Sequence, residues 1–276
     1  DTSMSKATHP RITSDNPVTE LKQSAKSLGY RMPAEFEPME AIWVTPPHNE
    51  ETWPGCLHEA QRQFEAFMDA MRPHVKVRTT QSLGLPTNDS WIRDYGPIFV
   101  KKSDQVAKWP SGQVQERTAA NTDSTNSATG PLDHSATSRL ACHDFHFNGW
   151  GGKYEVRDLD DVVPQHVARE LNIPLWIHDL VLEGGSSDVN GKGTVMTTEQ
   201  CLLNKNRNPH LSRDAIVSEL HESLGAHHVI WLPGGIIGDD TDGHIDDIAR
   251  FVNPTTVVGI RAPKDHPDFE MLDRNW

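Results

Sequence analysis

Cysteine is scarce in this 276-residue chain: Cys56, Cys142 and Cys201 are the only three, and no two of them form a paired motif. That excludes a disulfide scaffold and fits reduced thiols in the cytosol. Neither C-x-x-C nor H-E-x-x-H occurs, so no zinc site of familiar spacing is expected. Long apolar runs are also missing. The longest, such as Val229-Ile230-Trp231-Leu232 and Val257-Val258-Gly259-Ile260, are far too short to span a bilayer. The polar N-terminus has no apolar stretch of the kind a secretory signal carries. Basic residues are outnumbered, 26 Lys and Arg against 39 Asp and Glu, for a formal net charge of −13. Such a balance argues against nucleic acid and is compatible with a small cationic partner. A cytoplasmic location with no membrane partner is the expectation. The first residue is Asp rather than Met, which suggests a processed or cut N-terminus.

The chain is long enough for one large domain or two small ones. Its first 30 residues begin polar, give a short helical pattern around Leu21 to Leu28, and read as a leader. Residues 103–139 are rich in Ser, Thr, Asn and Gly; they cannot bury enough surface to offset their ordering entropy and are expected to form a flexible surface insertion. Elsewhere strands and helices alternate. Ile42–Thr45 and Val75–Thr79 read as strands flanking a helix over Leu57–Met71, where Phe64, Phe67, Met68 and Met71 recur at helical spacing. A second helix is predicted over Val163–Leu171 with Pro164 in its first turn. Asn190-Gly191-Lys192-Gly193 between extended segments is a hairpin signal. A third helix follows over Arg213–Leu224, capped by Ser212 and stopped by Gly225, then strands near Val229–Leu232 and Thr256–Ile260. Strand, helix and hairpin recur in modules, a mixed α/β architecture.

Polar clusters punctuate the strand ends. Gly238-Asp239-Asp240-Thr241-Asp242-Gly243-His244-Ile245-Asp246-Asp247 sets one imidazole among five carboxylates. A solvated turn is its plain explanation. A calcium loop fails, because aligning Gly243 with the loop glycine puts Gly238 and Ala249 at the first and last ligand positions. A metal-dependent hydrolase built on Asp242, His244, Asp246 and Asp247 suffers from poor ligand spacing. Thr87 to Pro97 is either a turn with an Arg–Asp pair or a loop offering Asp94 and the face of Trp91 to a flat cation. Phe147 to Tyr154 departs from the phosphate-loop pattern at both ends. Glu183-Gly184-Gly185 is a carboxylate at a strand end. Asp94, Glu183, His244 and Asp246 thus stand at the ends of predicted strands, as in a site assembled from several loops on one core.

Together with Met32 to Pro38, Thr52 to Gly55 and Cys201 to Pro209, these motifs resemble the family of bacterial agmatine deiminases and Porphyromonas-type peptidylarginine deiminases. The likeness runs from about residue 30 to the end, apart from the insertion. It implies an α/β pentein fold, a five-bladed propeller of ββαβ modules, with about four of the five in a single catalytic domain over residues 31–276. It also implies hydrolysis of a guanidinium to a ureido group with loss of ammonia. By matching positions, Asp94 and Asp246 would cradle the guanidinium, His244 would protonate the departing ammonia and activate water, and Glu183 would orient His244. Trp91 would wall the cavity, with Asp89 and Asn148 as further substrate contacts. No cofactor and no metal is implied. The nucleophilic Cys of the family would lie beyond Trp276, so the domain is expected to be incomplete at its C-terminus and inactive as it stands. Cys201 reads as a buried core thiol. Agmatine is the expected substrate, with N-carbamoylputrescine, a putrescine precursor, as product. Pro46-Pro47 departs from the Trp-Pro of typical agmatine deiminases and keeps a peptidyl-arginine substrate open. A non-catalytic guanidinium binder and a homo-oligomeric assembly are open as well.

Overall fold

The computed structural model describes residues 9–12, 18–102, 139–154 and 158–276. The expected insertion at 103–139 lies outside them, apart from Arg139, as do much of the N-terminal leader and any statement about its first eight residues. Four separate sheets are formed among the described residues. In the first, β1 (Tyr30–Arg31), β4 (Ile98–Lys102), β5 (Leu140–His146) and β6 (Leu175–Val181) lie side by side; β1 and β5 each flank β4 antiparallel, and β6 runs parallel to β5. The second pairs β2 (Ala41–Val44) with β3 (Lys76–Thr79) in parallel. The third has β7 (Asp188–Val189) antiparallel to β8 (Thr194–Thr198), with β9 (His228–Leu232) parallel to β8. The fourth is the antiparallel pair β10 (Ala249–Asn253) and β11 (Thr256–Gly259).

Each parallel pair needs a crossover, and each has a helix to make it. The helix α1 (Leu57–Met71) joins β2 to β3. A second long helix, Val163–Leu171, joins β5 to β6, and a third, Arg213–Leu224, joins β8 to β9. Strand order β4-β5-helix-β6 is therefore repeated as β7-β8-helix-β9, the ββαβ unit. These helices start and stop where their end residues dictate. Pro164 occupies the first turn of Val163–Leu171, and Asn172 closes it at φ 50°. The Ser212 side chain accepts from Ala215 N at 3.2 Å, and Gly225 ends the third helix at φ 66°.

The Leu21–Leu28 stretch is a run of turns, not a helix. Tertiary contacts win there. Leu21 N donates to Leu175 O at 2.8 Å, and Ala25 and Tyr30 are buried against Val100, Ala141 and Trp176. The main core lies between the third sheet and the Arg213–Leu224 helix, where Val195, Leu202, Ile216, Leu220 and Leu224 are each at most 2% exposed. Burying side chains of this size contributes roughly 1.5–3 kcal/mol each. Among the described residues no helix is long and apolar enough to cross a membrane.

Strand β5 was not predicted, because its sequence, Leu-Ala-Cys-His-Asp-Phe-His, carries His and Asp mid-strand; β6, Leu-Trp-Ile-His-Asp-Leu-Val, carries them too, and only its end before Glu183 was expected. His143 is nonetheless fully buried. Its Nδ1 lies 2.8 Å from His178 Nε2 and its Nε2 lies 2.8 Å from Ser223 O. Polar groups enter a core when partners await them there.

Candidate active site

Three short turns meet at the ends of the sheets. The helical turn α2 (Ile92–Tyr95) carries Asp94 between β3 and β4; the turn Gly184–Ser186, after β6, follows Glu183; and Ile245–Asp247, between β9 and β10, carries Asp246 next to His244. His244 Nδ1 lies 3.5 Å from Asp94 Oδ1, and both side chains are at most 10% exposed. The same Asp94 oxygen accepts from Gly185 N at 3.0 Å, and its other oxygen accepts from Trp150 Nε1 at 2.9 Å. Burial pushes the Asp94 carboxyl up to about 6, with Glu183 and Asp246 adding to the rise and His244 and Trp150 opposing it.

Gly185 sits at the centre of this group. A Cβ there would fall 2.6 Å from His244 Nδ1, 2.7 Å from Asp94 Oδ1 and 2.9 Å from Asp246 Oδ2. A side chain would displace all three, so the glycine is a matter of space rather than of backbone angle. Gly185→Ala is expected to weaken binding of a guanidinium ligand on the order of 100-fold, as misplacing site groups by about an ångström does. Calorimetric titration measures this, and an Ala variant that binds as tightly as the parent would show that the three groups do not act together.

Glu183 is fully buried. Its Oε1 accepts from Arg207 Nε at 2.7 Å, while Oε2 and His244 Nε2 have no hydrogen-bond partner. The potential ligand atoms of Glu183, Cys201 and His244 lie within 4.8 Å of one another. Cys201 is a core thiol, as its setting in the sequence suggests: it is fully buried, and burial raises its pKa well above the ordinary thiol value, with Glu183 adding to the effect. Such a thiol is a poor nucleophile. Burial likewise pushes the Cys142 thiol up, and Cys56 is exposed beside α1.

The acid run around His244 divides its labour. Asp239 accepts from Thr241 N and Gly243 N at 2.7 and 2.6 Å, and Asp240 accepts from Tyr154 OH at 2.6 Å. Asp242, at φ 65°, takes Arg207 Nη1 at 2.6 Å, Asn206 Nδ2 at 2.9 Å and Lys153 Nζ at 2.8 Å. Burial would raise its carboxyl, but those three donors hold it near 2. These carboxylates fasten the loop. Asp242 therefore does not join His244, Asp246 and Asp247 in a metal site. Asp246 faces the centre, its Oδ2 3.3 Å from Arg93 Nε and 3.9 Å from Arg250 Nη1.

The three further contacts suggested by sequence have other occupations. Asp89 accepts from Thr52 Oγ1 at 2.6 Å and from Ser90 N at 2.7 Å, which pins its loop. Asn148 accepts from Gly151 N at 2.8 Å and donates to Asn206 O at 2.9 Å. Trp91 is 44% exposed and stacks on Trp53 at 6.1 Å between ring centroids, which leaves a face for a ligand. Trp150 and Arg207, which hold Asp94 and Glu183, went unnoticed in the sequence. The signal available was the Gly-Trp-Gly-Gly run, whose Trp150 takes φ 51° and turns its indole inward.

The Porphyromonas-type peptidyl-arginine deiminase family model matches residues 31–276. The chain belongs to that family. It is 36% identical over 284 residues to an agmatine deiminase of Medicago truncatula, covering 93% of this chain and 68% of that protein. Its structure is similar to that of the agmatine deiminase of Enterococcus faecalis (TM-score 0.76, 30% identity, covering 93% of this chain and 68% of that one). It is also similar to a Cys-to-Ser variant of the C. jejuni agmatine deiminase with substrate bound (TM-score 0.70, 29% identity, covering 89% and 69%). The α/β architecture with its separate small sheets is the pentein fold of these enzymes.

Proposed function

We propose that this chain carries the guanidinium-binding and proton-transfer groups of a hydrolase that converts agmatine to N-carbamoylputrescine and ammonia. The observation that carries the proposal is the convergence of Asp94, His244 and Asp246, from separate turns, around the backbone of Gly185, each within 3 Å of where a Cβ on that residue would stand. A guanidinium is a planar fork of N–H donors, and two carboxylates converging from separate turns are the acceptors that suit it. Holding it between Asp94 and Asp246 keeps the cation charged and its central carbon electron-poor. His244 stands against Asp94, its buried Nε2 has no hydrogen-bond partner, and a ligand atom of the buried Glu183 lies within 4.8 Å of one of its ring nitrogens. That supports His244 as the carrier of the proton that the departing amino group needs. Addition of a thiol nucleophile to the carbon expels one amino group as ammonia, its proton drawn through His244, and water then attacks the carbon of the thiouronium adduct to release the urea and the thiol. Trp91, three positions before Asp94 in the chain, is exposed, and its face is suited to cover the cation.

Calorimetric titration with agmatine, putrescine, free arginine and a peptide carrying arginine tests the reading. Saturable binding of agmatine, with putrescine silent, is expected, because putrescine lacks the guanidinium. Equal binding of agmatine and putrescine would refute a guanidinium site, and preference for the peptide would reassign the substrate to peptidyl arginine.

A further inference from the structure

A second group of buried ionisable side chains gathers at the C-terminal end of β5, separate from the groups just described. His146, the last residue of that strand, sets Nδ1 2.8 Å from Asp161 Oδ2. His9 brings its own Nδ1 to 3.8 Å from the same oxygen, with the two imidazole centroids 5.4 Å apart. The potential ligand atoms of His9, His146 and Asp161 all lie within 4.8 Å of one another. Behind His9, its Nε2 stands 3.1 Å from Asp144 Oδ1. The side chains of His9, Asp144 and Asp161 are 1%, 0% and 4% exposed, and that of His146 is 13% exposed. Neither oxygen of Asp144 has a hydrogen bond of ordinary geometry, nor does His9 Nε2.

Two carboxylates buried this deeply call for positive charge beside them. We propose that the charge is a divalent transition-metal ion of the Zn²⁺ kind, held by His9 and His146 through Nδ1 and by Asp161 through Oδ2. Three features favour an ion. Ligand atoms around a tetrahedral ion with bonds of about 2.0–2.2 Å stand roughly 3.4 Å apart, and the two measured separations, 2.8 and 3.8 Å, lie on either side of that value. Two imidazoles and a carboxylate, with no sulfur, suit zinc, nickel or cobalt better than soft copper(I). Asp144 occupies the place of the carboxylate that takes the second ring N–H of a metal-bound histidine and orients it, which accounts for a fully buried acid set against His9. His9 Nδ1 also lies 3.1 Å from Pro10 O, a contact that the ion would replace.

The site would tie three parts of the chain together. Gln165 already fastens the His9 segment, accepting from Ile12 N at 3.0 Å and donating to Pro10 O at 2.9 Å. Asp161 Oδ1 accepts from Phe147 N at 2.6 Å. Phe147 opens the turn that ends in Trp150, and the Trp150 indole holds Asp94. A metal at His146 and Asp161 would therefore steady the base of the turn that positions the guanidinium cradle.

Dialysis of the chelator-stripped chain against Zn²⁺, followed by metal analysis, is expected to find one tightly held ion per chain and a higher thermal midpoint. His9→Ala and His146→Ala should each lose the ion and the thermal shift, while His244→Ala keeps both. His9 stands outside the sheets, so its variant tests ligation even where His146→Ala fails to fold. Co²⁺ in place of Zn²⁺ should give visible d–d bands without a thiolate charge-transfer band. Absence of uptake by the parent chain, uptake unchanged in His9→Ala, or a thiolate band placing the ion at Cys201 would each overturn the proposal.

Discussion

Arg207→Met is expected to cost about 3–5 kcal/mol of stability, as breaking a buried ion pair from one side does. The guanidinium of Arg207 and the carboxylate of Glu183 are both fully buried and 2.7 Å apart. Arg207 also donates to Asp242 Oδ2 at 2.6 Å, to Asn206 Oδ1 at 2.9 Å and to Thr241 O at 2.8 Å. Burial works against its charge, but Glu183 and Asp242 outweigh it, and its pKa is raised. Met fills much of the space and supplies none of the donors. It leaves a buried carboxylate without its cation and frees the loop that presents His244. The midpoint of urea unfolding should therefore fall, and agmatine binding should be lost with it. Replacing both partners, Arg207→Met with Glu183→Leu, is expected to restore most of the stability and none of the binding, because an apolar pair has no charge to desolvate. A single variant that loses less than about 1 kcal/mol would put this pair with surface ion pairs in its energetics.

Much of this frame can be read from residue order, because the elements concerned are governed by local rules. The β2-α1-β3 unit follows from hydrophobic spacing, the Val163–Leu171 helix from Pro164, the Arg213–Leu224 helix from Ser212 and Gly225, and the β7–β8 hairpin from Asn190 to Gly193. What the sequence hides is decided by partners distant in the chain. His143 and Asp144 make β5 look like a loop until His178, Ser223 and His9 are seen beside them. The acid run around His244 gives no hint that Asp239 bonds to the loop itself and Asp242 to Asn206 and Arg207, while Asp246 faces the centre. Asp94, Glu183, His244 and Asp246 are brought together by three turns separated by some 90 and 60 residues of chain, on order-of-magnitude reckoning a distance at which no local pattern operates. Asp89 and Asn148, polar residues in the same loops, hold those loops in shape.

Asp94→Asn is expected to make the protein more stable above neutral pH and a far weaker ligand binder. Burial raises the Asp94 carboxyl from 3.8 to about 6, with Glu183 and Asp246 adding and His244 and Trp150 subtracting. The folded pKa lies above the unfolded one, so the stability tied to this group is fully present below about pH 4 and is lost as pH rises through about 6. At 1.36 kcal/mol per pKa unit, ionisation in place costs about 3 kcal/mol. Asn removes that cost but can accept only one of the two N–H groups, Gly185 and Trp150, that Asp94 accepts; a lost bond returns about 1 kcal/mol. A net gain of about 1–2 kcal/mol at about pH 8 is expected from thermal or urea unfolding, shrinking to nothing or reversing near about pH 4. Binding runs the other way. Losing the charge that meets a guanidinium costs about 2–5 kcal/mol, and the parent should lose affinity for agmatine as pH falls through about 6, releasing a proton on binding there. Calorimetry in buffers of different ionisation enthalpy reads the proton directly. Affinity that stays level down to about pH 5, or an Asn variant no more stable at about pH 8, would mean that Asp94 is not the strained charge of this site. If both effects appear, the energy held in the buried Asp94 carboxylate is what the cationic substrate relieves when it binds, a loss of stability kept for function.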